Sequence, residues 1–448
     1  MPGTSTRLSL FGLLVLGPVV SAGAADVTFS NQTVAAGVNV THSTSGFAQV
    51  QYSGGATVGD FNGDGWQDLF VLSGGNNNQP DRLFINNGDG TFTNQAAAWN
   101  LTAVHKGKAA CVGDFNGDGN LDLYVLSAGP AGGAAAVGHH KLYRNNGNNT
   151  FTNVAAVANV ATVNPNYPDG WTCCFGDYDR DGDLDLFVGG FSTNAPSNIG
   201  SRLFRNDGGL FTDVTNASQL FIGVGPIALQ SASFSDMTGD GYPELLLVGD
   251  FKGANFVGSR YMHNNGDGTF SDMTNVADCG DEENGMGQCR GDFDNDGRLD
   301  WYATSIFLPQ IGWTGNKLYR NVADDQFDEY GVSAGVVDGG YGWGASAVDF
   351  NHDTWLDIAE TNGDSASGGT FYQEQSYLYM NDGDNTFTER AVTSGLIHNG
   401  KGRSLVHLDY DNDGDQDVVI SANNEPLNLY RNDLPFSQTT HWLRIFLD

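Results

Sequence analysis

An all-β chain is predicted: a seven-bladed β-propeller of four-stranded antiparallel blades, its ring closed by the N-terminal strand. Three observations predict it. A nine-residue acidic motif, first seen as Asp60 to Asp68, recurs seven times, with successive copies 54 to 63 residues apart. Each period holds four short apolar runs separated by Gly, Asn and Asp turns, the pattern of one propeller blade. The fourth run is present six times downstream of a motif, and its seventh copy stands at the other end of the chain.

The strands follow in order. A small-residue strand precedes each motif, as in Ala109-Ala110-Cys111-Val112. A second follows it, as in Leu69-Phe70-Val71-Leu72. The third ends in Asn, as in Leu83-Phe84-Ile85-Asn86 and Leu142-Tyr143-Arg144-Asn145. The fourth opens on Phe92, Phe151, Phe211, Phe270, Phe327 and Phe387. Blade seven runs through Leu429 to Asp433 and lacks that strand. Phe29-Ser30-Asn31-Gln32 matches Phe92-Thr93-Asn94-Gln95, so residues 27–38 are expected to complete blade seven. Closure of this kind removes exposed sheet edges.

The motif places oxygen donors at positions 1, 3, 5 and 9 and a backbone carbonyl at position 7. Calcium takes six to eight oxygens, and a tight loop turns alternate residues inward. The expected ligand sets are Asp60, Asn62, Asp64, Trp66 and Asp68 in blade one; Asp114, Asn116, Asp118, Asn120 and Asp122 in blade two; and Asp177, Asp179, Asp181, Asp183 and Asp185 in blade three. Blade four has Asp236, Asp240 and Glu244; blade five has Asp292, Asp294, Asp296, Arg298 and Asp300. Blade six has Asp349, Asn351, Asp353, Trp355 and Asp357; blade seven has Asp409, Asp411, Asp413, Asp415 and Asp417. Up to seven Ca2+ ions are expected. Blades three and seven, with five carboxylates each, should bind tightest. Blade four (Thr238 at position 3) and blade six (Thr354 where Gly is expected at position 6) are the weakest. The loop resembles the front of an EF-hand but lacks Glu at position 12 and is flanked by strands, which excludes that motif.

Roughly half of the 53 acidic residues lie in these motifs, and the net charge is −33. Such a surface excludes nucleic acid and anionic membranes as partners and suits cations, which would stabilise the fold by mass action. Arg7 before the apolar run Leu8–Val20, with Ala22-Gly23-Ala24 after it, reads as a signal peptide over residues 1–24. The mature chain is then expected to be secreted, on the cell surface or in the periplasm, with no integral membrane segment. Residues 25–433 form the propeller and 434–448 a tail. Of five cysteines, Cys279 and Cys289 are spaced to close a loop disulfide, while Cys111, Cys174 and Cys289 hold one shared strand position and should be buried.

The pattern Gly-Asp-Phe-Asn-Gly-Asp-Gly-x-x-Asp-Leu resembles the FG-GAP/VCBS repeats of integrin α-subunit propellers and their bacterial relatives, over roughly residues 27–433. The tail from His441 to Ile445 resembles the opening of the ASPIC/UnbV segment of cartilage-acidic-protein-like chains. The resemblance implies calcium binding and extracellular recognition or adhesion, and no catalytic residue set.

Strand order puts the Asp loops on one face and the long variable connections on the other. Six residues before each motif stand Gly54, Lys108, Trp171, Gln230, Met286, Trp343 and Arg403, expected to ring the channel mouth on that second face. Lys108, Trp171, Trp343 and Arg403 are the candidate ligand-binding residues for a glycan or a carboxylate-bearing molecule, with Lys106 and Lys401 adding positive charge. The function read from the sequence is an extracellular recognition or adhesion module for a glycan or protein. The alternatives are a sugar-active lyase or dehydratase on the same scaffold, and a structural subunit that self-assembles.

Overall fold

The computed structural model describes residues 27–43, 54–74, 79–130, 136, 139–162, 170–191, 200–253, 256–364 and 369–435. The expected signal peptide, residues 1–24, and most of the expected tail, residues 434–448, lie outside them.

Seven four-stranded antiparallel sheets are arranged as blades. Blade one comprises Ala56–Gly59, Asp68–Val71, Arg82–Asn86 and Phe92–Asn94, from the channel outward. Blades two to six repeat that order. In blade seven, Gly402–Leu408, Asp417–Ala422 and Asn428–Asn432 are joined by Phe29–Asn31 as the outer strand. That strand pairs Phe29 with Asn432 and Asn31 with Tyr430. The ring is therefore closed by the N-terminal strand, as the repeat count required.

Second strands are apolar without alternation because both of their faces are covered by neighbouring blades. Leu245, Leu246, Leu247 and Val248 are all fully buried. The core is consequently not central. It is divided into layers between blades: Phe70, Leu83, Trp99 and Leu123 pack together between blades one and two. Leu69 and Phe84 meet Tyr410 and Val419 between blades one and seven.

The proposed Cys279–Cys289 disulfide is not formed; all five cysteines are free. Cys279 packs with Met237 and Trp301 in the layer between blades four and five. Cys289 packs with Phe293 and Ile358 in the next layer. Spacing of ten residues suggested a loop, but Cys289 lies on blade five's first strand, Gln288–Gly291, and packs into the layer beyond the one that holds Cys279. Cys289 is buried as expected, whereas Cys111 and Cys174 are only half-buried.

Candidate functional site

Each Asp loop is built by one repeated hydrogen-bond plan. The position-1 carboxylate accepts the amide of position 6, at 2.7 Å from Gly65 to Asp60 and 3.2 Å from Gly414 to Asp409. Positions 4 and 6 adopt left-handed backbone, as at Gly63 (φ 72°) and Gly65 (φ 86°). In blade six these are His352 (φ 57°) and Thr354 (φ 77°). Thr354 still donates its amide to Asp349 at 2.8 Å. The loop thus keeps its shape and takes the strain, since a β-branched residue at positive φ is strongly disfavoured.

The position-9 acid is the buried pivot. It is wholly inaccessible in all seven blades. Asp68 accepts the amide of Phe61 at 3.0 Å and that of Asn86 at 2.8 Å. Burial pushes its carboxyl up to about 7, and Asp185 to about 8 and Asp417 to about 9, against backbone amides that act in the opposite direction. A cation placed there would favour the ionised form and offset that cost.

In blades three, five and seven, the carboxylates of positions 1, 3 and 9 offer oxygens that all lie within 4.8 Å of one another: Asp177, Asp179 and Asp185; Asp292, Asp294 and Asp300; Asp409, Asp411 and Asp417. These acidic clusters can hold metal ions. Asp179 Oδ1 and Asp411 Oδ1 are buried without a hydrogen-bond partner, as a ligand oxygen awaiting a cation would be. The position-5 acids Asp181, Asp296 and Asp413 stand outside these three-carboxylate groups and accept the amides of Asp183, Arg298 and Asp415.

The position-3 Asp is matched by an Arg on the third strand. Arg320 lies 3.8 Å from Asp294. Arg205 and Arg431 act on Asp179 and Asp411, drawing them down against the dominant upward push of burial. Blade four departs from the plan: Glu244 Oε1 is 3.4 Å from His263 Nδ1, which also lies 3.0 Å from Asp325. Trp66 and Trp355, singled out for their carbonyls, also use their indoles. An added Cβ at Gly88 would meet Trp66 at 3.1 Å, and one at Gly383 would meet Trp355 at 3.0 Å. Asp loops and third-to-fourth-strand hairpins therefore share one face.

The Asn that ends each third strand was visible in the sequence, but its role was not. In blades one, two, three, five, six and seven its backbone amide donates to the position-9 carboxylate of its own blade. Its side chain donates to the position-2 carbonyl of the preceding blade: Asn145 to Phe61 at 2.8 Å, Asn206 to Phe115 at 2.7 Å, Asn264 to Tyr178 at 2.8 Å. The signal that could have revealed it is its recurrence in all seven repeats.

On the opposite face, Gly54, Lys108, Trp171, Gln230, Met286, Trp343 and Arg403 do converge. One residue from every blade lines a cavity of about 250 Å3. First strands carry the chain from here to the Asp loops, about 20 Å for six residues. Lys108 Nζ lies 4.4 Å over the Trp171 ring, and Arg403 Cζ lies 4.1 Å over that of Trp343. Phe191 stacks on Trp171 at 4.7 Å and Tyr341 on Trp343 at 5.6 Å. Each indole also donates a hydrogen bond, Trp171 to Gln230 at 2.6 Å and Trp343 to the Gly363 carbonyl at 3.1 Å. Both are buried, at 8% and 6% exposure. They are wedged supports for the two cations, and their ring faces are not open platforms. Lys106 is buried and Lys401 half-buried, and neither lines the cavity.

Fold and loops together define an FG-GAP-repeat β-propeller; the family model described as an FG-GAP-like repeat matches residues 60–125, 132–188 and 236–303. The chain is homologous to cartilage acidic protein 1. It is 24% identical to the Homo sapiens protein over 360 residues, which is 76% of this chain and 50% of that one. It is 30% identical to the Xenopus tropicalis protein over 163 residues, 35% of this chain and 22% of the relative. The chain thus spans about half the length of the curated relatives it matches most fully. Among solved structures, BBS1N in complex with ARL6DN superposes with a TM-score of 0.51 at 10% identity, covering 91% of this chain and 99% of that one. That likeness is one of fold. Among the described residues, no helix is long and apolar enough to cross a membrane.

Proposed function

We propose that this chain is an exported, calcium-braced recognition or adhesion module that binds an extracellular glycan or protein on the face opposite its Asp loops. The observation that carries the reading is the channel-mouth cavity, to which every blade contributes a residue. A site assembled from all seven repeats depends on the whole ring being intact, and the Asp loops supply the bracing.

Calcium fits the loops: hard oxygen donors converge, and buried carboxylate oxygens stand without partners. The residues that would hold the ion are those of positions 1, 3 and 9, with positions 5 and 7 completing the shell. The bound ion would supply charge neutralisation, making seven acidic loops compatible with one compact ring. Because the Asn next to position 9 also grips the preceding blade, bracing a loop braces an interface. The mouth offers cations, amides and hydroxyls, a lining that supports binding over catalysis.

The test has two parts. Metal analysis and melting curves of the purified protein, with and without EGTA, should give several calcium ions per chain and a large drop in Tm on chelation. An array of glycans and extracellular proteins, probed with calcium present, should show saturable binding without turnover. Binding that is equally strong after chelation and unfolding, or a product formed from a bound sugar, would contradict this reading.

A further inference from the structure

The channel mouth has an unusual charge for this molecule. The chain has 53 acidic residues and 20 Lys and Arg. Yet among the described residues lining the cavity none is acidic, and two are cations. Those two stand on blades seven and two, either side of blade one, whose residue in this register is Gly54. A Cβ at Gly54 would lie 3.4 Å from Arg403 Cβ, so Arg403 packs closely along the backbone of blade one. Each cation is fixed on an indole that is itself fixed by a stacked ring and a hydrogen bond. Ordering of these long side chains is therefore complete before any ligand arrives, which lowers the entropic cost of binding.

The rest of the lining is polar in a particular way. Thr172, Gln230, Ser231, Gln288 and Ser404 contribute hydroxyl and amide groups. Gln230 is itself oriented, accepting from Trp171 and donating to Asp250 at 3.2 Å. Hydroxyls and amides suit a polyhydroxylated molecule, and the cavity volume suits one ring rather than a chain segment. Fixed cations add a requirement for negative charge.

We propose that the channel mouth is the seat of a single anionic sugar residue, whose carboxylate or sulfate is held by Lys108 and Arg403 while its hydroxyls meet the amide and hydroxyl lining. The proposal rests on the recognition reading above and narrows it to one ligand class. Trp171 and Trp343 act here as positioning residues. A peptide segment is disfavoured, because the lining offers few apolar surfaces for side chains.

The test is calorimetric titration of the calcium-loaded full chain with glucuronate, glucose 6-sulfate and glucose. One or both anions should bind at least about tenfold tighter than glucose, the worth of one charge-assisted hydrogen bond. Which of the two binds tighter identifies carboxylate or sulfate as the group recognised. Lys108→Met and Arg403→Met should each weaken anion binding about tenfold or more, while Arg403→Lys keeps the charge and retains part of the affinity. Melting curves of the three variants separate lost binding from lost folding. Equal affinity for glucose, no saturable anion binding, or unchanged affinity in Lys108→Met and in Arg403→Met would overturn the proposal. In those cases a positive array leaves the recognition reading standing, and a silent array retires both.

Discussion

Asn86 donates its side-chain amide to the carbonyl of Tyr410 at 2.7 Å, across 324 residues of sequence. The bond joins blade one to blade seven and is the same latch that joins each other blade to its predecessor. Asn86→Ala should leave the carbonyls of Tyr410 and Gln67 without this donor and cost about 2 kcal/mol. Asn264→Ala, at an interior latch, should cost a similar amount, because the ring has no privileged joint. Chemical denaturation of both variants in calcium checks this. A large loss at one site with none at the other would show that the latches are not equivalent.

Phe29 anchors the strand that closes the ring. It is buried and meets Phe350 edge-on at 5.6 Å. Phe29→Ala should destabilise by about 3 kcal/mol and loosen the outer strand. The exposed edge of Asn428–Asn432 should then promote self-association, readable by light scattering against the parent protein. A monodisperse variant with an unchanged melt would mean that closure does not depend on this strand.

Thr354 carries backbone strain that Gly carries freely in the other six loops. Thr354→Gly should stabilise the protein by about 1 kcal/mol, and more clearly when calcium is removed. The amide bond to Asp349 is retained in either case. A destabilised variant would show that the Thr354 side chain contributes more than its backbone costs.

Position-9 carboxyls are raised in the folded protein, Asp68 to about 7 and Asp417 to about 9, chiefly by burial. A carboxyl raised on folding binds its proton more tightly in the native state, so its contribution is full below the ordinary value near 3.8. That contribution is lost as pH rises toward the folded value. Metal-stripped protein should therefore lose stability between about pH 4 and pH 9. Calcium should remove most of that slope and release protons when added near pH 6. Melting of stripped and loaded protein across this range decides the matter. A stripped protein that gains stability toward pH 8 would refute the assignment.

Glu360 gives a second, metal-independent case. It is fully buried, accepting from Tyr302 at 2.6 Å and Asn316 at 2.8 Å, and burial holds its carboxyl well above the usual range. By the same sign, its contribution declines as pH rises past the ordinary carboxylate value. Glu360→Gln should raise stability at pH 8 by about 1–2 kcal/mol and flatten that part of the profile. Equal pH slopes in variant and parent would refute it.

The sequence by itself determined the repeat, the blade count, the four strands and their closure by Phe29. All of these are written in short-range turn chemistry: Asp at position 1 captures amides a few residues away, and Gly at position 6 permits the turn. The ring of residues at the mouth was also legible, because a fixed offset from each motif places equivalent residues at equivalent heights on the first strands. What only the tertiary structure decided lies between blades. Asn86 finds Tyr410, Lys108 settles on Trp171, Arg403 settles on Trp343, and Cys279 is parted from Cys289. Each is set by how the sheets pack radially around an axis, so that even partners one repeat apart, as Lys108 and Trp171 are, meet only through the packing of adjoining blades. The two indoles show the difference most clearly. Their height was set by the repeat, but whether they faced a ligand or a neighbouring cation depended on side chains from adjoining blades.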